Sequence, residues 1–184
     1  MVSDQEIGKK EIEKTELESF LEAREFVTGE MILEIIGLST ESPDFICVKK
    51  TGELVGIELT KIKVNYEQAF WDKRLHGEIH IDPYNINVTI QHLIEQKEKK
   101  RKKLFTKKVK ETILVLQLMD GSLDQLAYFF EGLDKIFSLH GFLEVWLADY
   151  SGLDAFGDIE LFGFFPLKFW GYHSRPNPDR KPYG

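Results

Sequence analysis

A single cysteine, Cys47, stands among the 184 residues, which excludes an internal disulfide and a metal cage built from cysteines. No apolar stretch approaches the roughly 20 residues that a membrane span requires; the run Ile113 to Leu116 stops at Gln117. The opening, MVSDQEIGKKEIEK, is polar and acidic and lacks the apolar stretch of a secretory signal. A cytoplasmic protein with no membrane partner is the expectation. Both glycine-rich phosphate cradles, G-x-x-x-x-G-K-[ST] and G-x-G-x-x-G, are missing, so no nucleotide loop of those kinds is expected. No internal repeat is visible.

What is present is ordinary for a globular chain: 42% apolar and 30% charged residues, in a length that suits one domain. The net charge is −7, which on its face argues against a nucleic-acid partner. Its distribution points the other way. Between Lys97 and Lys110 stand Lys97, Lys99, Lys100, Arg101, Lys102, Lys103, Lys107, Lys108 and Lys110, against one acid, Glu98. Such a ridge on an acidic body can engage phosphates locally while the total stays negative. The plainer reading is a solvated helix end whose lysines suit the C-terminal dipole.

Periodicity sets the elements. Residues 10–27 read as an amphipathic helix with Leu17, Phe20, Leu21, Arg24 and Val27 on one face, extended one turn back by Glu13. Residues 31–39 read as a strand. Two further strands, Asp44 to Lys49 and Leu54 to Ile62, are joined by a turn at Thr51-Gly52-Glu53. The segment 63–85 mixes aromatics with charges and admits a short helix around 66–75. A helix then starts at Asn85 or Asn87, with Ile86, Ile90, Leu93 and Ile94 on its apolar face; Lys97, Arg101 and Leu104 continue that face. Glu111 to Asp120 reads as a strand buried on both faces, 122–139 as a helix capped by Ser122 or Asp124, and 142–148 and 159–165 as strands. This order predicts an α/β fold, a mixed sheet flanked by helices. The residues to 172 form one domain and 173–184 an extended or disordered tail. The aromatic-rich stretch 162–172 reads as core or as a homodimer contact.

Two carboxylates draw attention. Glu58 lies mid-strand among apolar residues, where an ionised side chain needs a partner charge or a metal. Asp44 opens the preceding strand. Counted outward from the turn, the two can face one another across the ladder. A hard divalent cation, Mg²⁺ or Mn²⁺, is one solution to their repulsion, with the Leu59 carbonyl as a further ligand. The plainer reading is a surface Asp at a strand start and a Glu paired to a buried lysine.

Helix, strand, Pro43-Asp44 opening a second strand, a turn, Glu58-Leu59-Thr60 in a hydrophobic third strand, then helix and strand: this arrangement resembles the PD-(D/E)XK nuclease superfamily over about residues 10–120, with 121–172 as an α/β extension. The resemblance implies a restriction-endonuclease-like core and metal-assisted phosphodiester hydrolysis on nucleic acid, DNA in preference to RNA. It implies Asp44 and Glu58 as metal ligands. Thr60 stands where the family has its lysine, and Lys61 points to the other side of the sheet. In some members that lysine comes from the following helix, which makes Lys97 the candidate and Lys100 the second, with Gln91 as a polar neighbour. An acid from the first helix often joins; Glu13 fits best and Glu16 flanks it. Lys99, Lys100, Arg101, Lys102, Lys103, Lys107 and Lys108 would contact the phosphate backbone without reading bases. Without a working lysine, the chain would be a silent relative that only binds nucleic acid or a protein partner.

His76 and His80, four residues apart beside Glu78 and Asp82, are the other constellation. A zincin needs H-E-x-x-H on a helix, whereas Gly77 follows the first histidine here, so zinc is not assigned.

Overall fold

The structure, a computed structural model, describes residues 4–38, 43–63, 79–80, 86–104, 109–120, 123–127, 130, 141–153 and 157–174. The expected helix around 66–75, His76, Lys107, Lys108 and the tail beyond 174 lie outside the described residues, as do most positions of the expected 122–139 helix. Helix α1 (Asp4–Thr28) leads into strand β1 (Ile32–Leu38), followed by β2 (Phe45–Lys49) and β3 (Leu54–Lys63). A two-residue strand β4 (Ile79–His80) precedes helix α2 (Ile86–Leu104) and strand β5 (Glu111–Leu118). Then come α3 (Leu123–Ala127), β6 (Glu144–Asp149), β7 (Glu160–Phe165), a 3₁₀ turn (Leu167–Phe169) and β8 (Gly171–His173).

The sheet order is β1-β2-β3-β5-β6-β7-β8, with β4 beside the end of β3. β1, β2 and β3 form an antiparallel meander, β3, β5 and β6 run parallel, and β7 and β8 return antiparallel. Gly52, at φ 84°, closes the β2–β3 turn, where its N–H donates to the Lys49 carbonyl at 2.9 Å. A parallel neighbour cannot be reached by a hairpin, so the chain crosses over between β3 and β5, and α2 lies in that crossover.

Helices cover both faces. Leu17, Phe20 and Ala23 of α1 pack on Phe45, Cys47, Val55, Ile57, Ile113, Val115 and Trp146. Ile86, Ile90, Leu93 and Ile94 of α2 pack on Ile62, Leu114, Leu116, Leu118, Val145 and Leu147. Side chains alternate along a strand, so β5 feeds both cores at once, which is why seven of its eight residues are buried. In β3 the same alternation sends Val55, Ile57 and Leu59 toward α1, and Ile62 toward α2. The position of Glu58 follows: it must face α2.

The α1 face carries its own buried charges. Arg24 donates to Glu144 through Nε at 2.7 Å and Nη2 at 2.5 Å, and to the Glu30 carbonyl through Nη1 at 2.8 Å. The Trp146 indole donates to Glu144 Oε2 at 2.7 Å. Hydrogen-bonded on both sides, this pair ties α1 to β6. At the start of α3 the Leu123 N–H donates to Asp149 Oδ2 at 2.9 Å, so the cap comes from the end of β6. The aromatic-rich stretch is core at its start, where Phe162 and Phe164 are buried; further on Phe169 stacks on Trp146 and Trp170 packs edge-on against Phe162, while Leu167 and Tyr172 are exposed. β8 carries the sheet to His173, one residue past the expected boundary at 172.

Candidate functional site

The ladder between β2 and β3 runs from Val48↔Leu54 to Phe45↔Ile57. One step further along this register would set Asp44 opposite Glu58. There the backbones stop pairing, and the Asp44 side chain takes over: its Oδ2 accepts from the Leu59 N–H at 2.8 Å. A strand residue presents its N–H and C=O to the same edge, so the Leu59 carbonyl lies on that edge too.

Glu58 is 2% exposed and faces α2. A carboxylate at that depth requires compensation, and two lysines supply it. Lys97 Nζ donates to Glu58 Oε1 at 2.8 Å, and Lys100 Nζ stands 3.5 Å from the same oxygen. They lie three residues apart on α2, neighbours on one helix face. Lys97 thus turns inward, and Lys100 joins it.

Burial pushes the Asp44 carboxyl up to about 6, and the negative charge of Glu58 pushes in the same direction. The Leu59 N–H bond and the positive charges of Lys97 and Lys100 oppose the rise without cancelling it. Asp44, Glu58, Lys97 and Lys100 thus form one electrostatic unit, neutral in sum when all four are ionised. It sits where β2 and β3 part, under the C-terminal half of α2.

Two other expected site residues, Glu16 and Gln91, have partners of their own. Glu13 and Glu16 ride on α1, across the sheet from Glu58, and Glu16 is engaged by Lys61 at 2.7 Å and by Gln117 at 3.1 Å. Lys61 therefore does point away from Glu58, as the alternation requires. Gln91 lies six positions from Lys97, about a third of a turn around the helix, and its amide donates to Glu95 at 2.8 Å. Thr60 faces α2 at 6% exposure, and its hydroxyl oxygen has no hydrogen-bond partner among the described residues.

Among the described residues of the lysine ridge, Arg101 and Lys102 have an acidic partner. Arg101 donates to Glu98 at 2.7 and 3.0 Å and lies over the Phe142 ring, 5.7 Å from its centroid. Lys102 pairs with Glu98 at 3.3 Å. Those bonds and the Arg101 and Lys102 charges hold the Glu98 carboxyl below its usual range, although burial works against them. Arg101 is thus engaged by Glu98 and by the Phe142 ring, which ties α2 to Phe142. Lys99 and Lys110 are exposed.

Do these residues fit a divalent cation? The donors are hard oxygens: two carboxylates, of which Glu58 raises the proton affinity of Asp44, and a backbone carbonyl on the same edge. Among the described residues no three Asp, Glu, His or Cys side chains gather as a metal cage. The set fits a cation that keeps much of its own water, as Mg²⁺ does. Asp44 and Glu58 would hold it; neither Glu13 nor a histidine among the described residues would.

No family model matches the chain, and neither a curated protein nor a solved structure matches it either. No helix among the described residues is long and apolar enough to cross a membrane.

Proposed function

We propose that this chain is a divalent-cation-dependent phosphodiesterase acting on nucleic acid, with a restriction-endonuclease-like core formed by α1, β1, β2, β3, α2 and β5. One observation carries the reading: Asp44, Glu58, Lys97 and Lys100 converge from three elements where β2 and β3 part. The order of those elements, with a three-strand meander and a helical crossover to a parallel neighbour, supports it. A bound Mg²⁺ or Mn²⁺ would polarise the scissile phosphate and acidify a water.

The chain's own residues supply the rest. Asp44 and Glu58 orient oxygen ligands from a backbone edge that Asp44 itself pins through the Leu59 amide. Lys97, 22% exposed at its side chain, can swing from Glu58 toward a phosphate oxygen and stabilise charge developing there. Lys99 and Lys110, being exposed, can add phosphate contacts that carry no base sequence.

A second reading has its own support. Thr60 in place of the family lysine, and Lys97 bound to Glu58 as a simple ion pair, suit a silent domain of the same fold that binds nucleic acid or a protein partner. Cleavage of labelled single- and double-stranded DNA and RNA in Mg²⁺ or Mn²⁺ separates the two. Turnover that EDTA stops and Glu58→Gln removes supports the enzyme. Salt-sensitive binding without any cleavage supports the silent domain. Equal cleavage by wild type and Glu58→Gln overturns the assignment of the site.

A further inference from the structure

Both lysines of the site converge on a single oxygen, Glu58 Oε1, at 2.8 and 3.5 Å. The three side chains differ in freedom. Glu58 is 2% exposed and cannot swing out to water, whereas Lys97 is 22% and Lys100 49% exposed at the side chain. The lysines are therefore the partners that can move. We infer that Lys97, seconded by Lys100, is a latch on Glu58 that a divalent cation and a phosphodiester must open together, so that each binds weakly without the other. This inference rests on the function proposed above and concerns how the same site is loaded.

A cation arriving alone meets an ammonium group on one of the two carboxylates that the described residues place there, and is repelled by its charge. Removing the ammonium with nothing to replace it strips a buried carboxylate of its cationic partner, which is strongly unfavourable. A phosphodiester arriving alone offers the lysines an anionic oxygen, but taking it deprives Glu58 of the same compensation. With both present, every charge has a partner: the cation replaces the lysines on Glu58, and the lysines move to the phosphate. Hard cations held by one or two carboxylates draw further ligands from substrate phosphate, which strengthens the coupling. Because linkage is reciprocal, the factor by which nucleic acid tightens cation binding equals the factor by which cation tightens nucleic-acid binding.

The test is Mn²⁺ affinity, read by calorimetry and by the paramagnetic signal of free Mn²⁺, with and without a DNA duplex carrying phosphorothioate linkages. Wild type should bind Mn²⁺ at least tenfold more tightly with the duplex present. Lys97→Met should bind Mn²⁺ alone about tenfold more tightly than wild type and lose most of the gain from DNA. Lys100→Met should fall between the two, and its ranking decides the matter if Lys97→Met does not fold. Variants that bind Mn²⁺ no more tightly than a cleaving, Mn²⁺-binding wild type overturn the latch and leave the enzyme standing. Absence of Mn²⁺ binding in wild type and both variants, with DNA present, overturns both.

Discussion

Replacing Asp44 by Asn should make the folded protein more stable at neutral pH while removing the turnover proposed above. The carboxyl is raised from 3.8 to about 6 in the fold, first by burial and then by the charge of Glu58. Between those values the folded chain holds a proton that the unfolded chain has released, so stability falls as pH rises through the window and levels off above it. At about 1.4 kcal/mol per pKa unit, the full shift corresponds to about 3 kcal/mol of opposition to folding. Asp44 is only half-buried, and solvent screening reduces this to about 1.5–2 kcal/mol.

An Asn side chain keeps an oxygen to accept from the Leu59 N–H, so the backbone contact survives. The attraction to Lys97 and Lys100 that is lost is already counted in the net shift. Urea unfolding in EDTA should therefore show Asp44→Asn and wild type equal near pH 4. At pH 7.5 the variant should be more stable by about 1.5–2 kcal/mol, worth roughly 4–8 °C in Tm for a chain of this size. A variant destabilised equally at both pH values would refute the reasoning. It would mean that the fold accommodates the Asp44 charge without strain and that the residue is an ordinary structural acceptor.

Three other perturbations test the frame around the site. Arg24→Met leaves Glu144 buried without its cation, and should cost about 3–5 kcal/mol in urea unfolding; Arg24→Met with Glu144→Gln, which keeps an acceptor for the Trp146 indole, should recover part of it. Gly163→Ala would drive a methyl into the Phe169 carbonyl oxygen and to 3.1 Å from Trp146 Cζ3, where backbone cannot yield. It should cost about 2–3 kcal/mol and alter the near-ultraviolet dichroism of the Trp146–Phe169 stack. Cys47 has no exposed surface, and burial pushes its thiol up to about 12, so a thiol reagent at pH 8 should label the denatured protein only. Rapid labelling of the native protein would show that the core beneath α1 opens readily.

The main sheet was legible where strands were long enough to carry a pattern. The run ETILVLQL announces a strand covered on both faces, and β5 takes that place between α1 and α2. The strands that escaped reading are β4 and β8, two and three residues long. No period can be read from so few side chains. Their pairing is decided by the strand already beside them: Lys63 for His80, and Leu161 for His173. The start of α1 escaped for another reason. The stretch DQEIGKK has no apolar stripe, and its helix continues a turn system whose buried contacts begin further on, at Glu16 and Leu17.

The site was legible through register and helical spacing, and its limits follow from the same physics. Counting from Gly52 places Asp44 beside Glu58, and counting from Ile86 places Lys97 inward; neither count needs long-range knowledge. The fate of Arg101 does need it, because Glu98 and Phe142 claim that guanidinium, and Phe142 arrives 41 positions later. Thr60 lies on the α2 side of β3 at 6% exposure, and its hydroxyl oxygen has no hydrogen-bond partner among the described residues. A lysine there would add a third positive charge beside Lys97 and Lys100. Supplied from the helix, the same charge keeps its stem against the sheet and its tip near water. On the latch proposed above, the lysine that leaves Glu58 is housed on α2, where its side chain is 22% exposed.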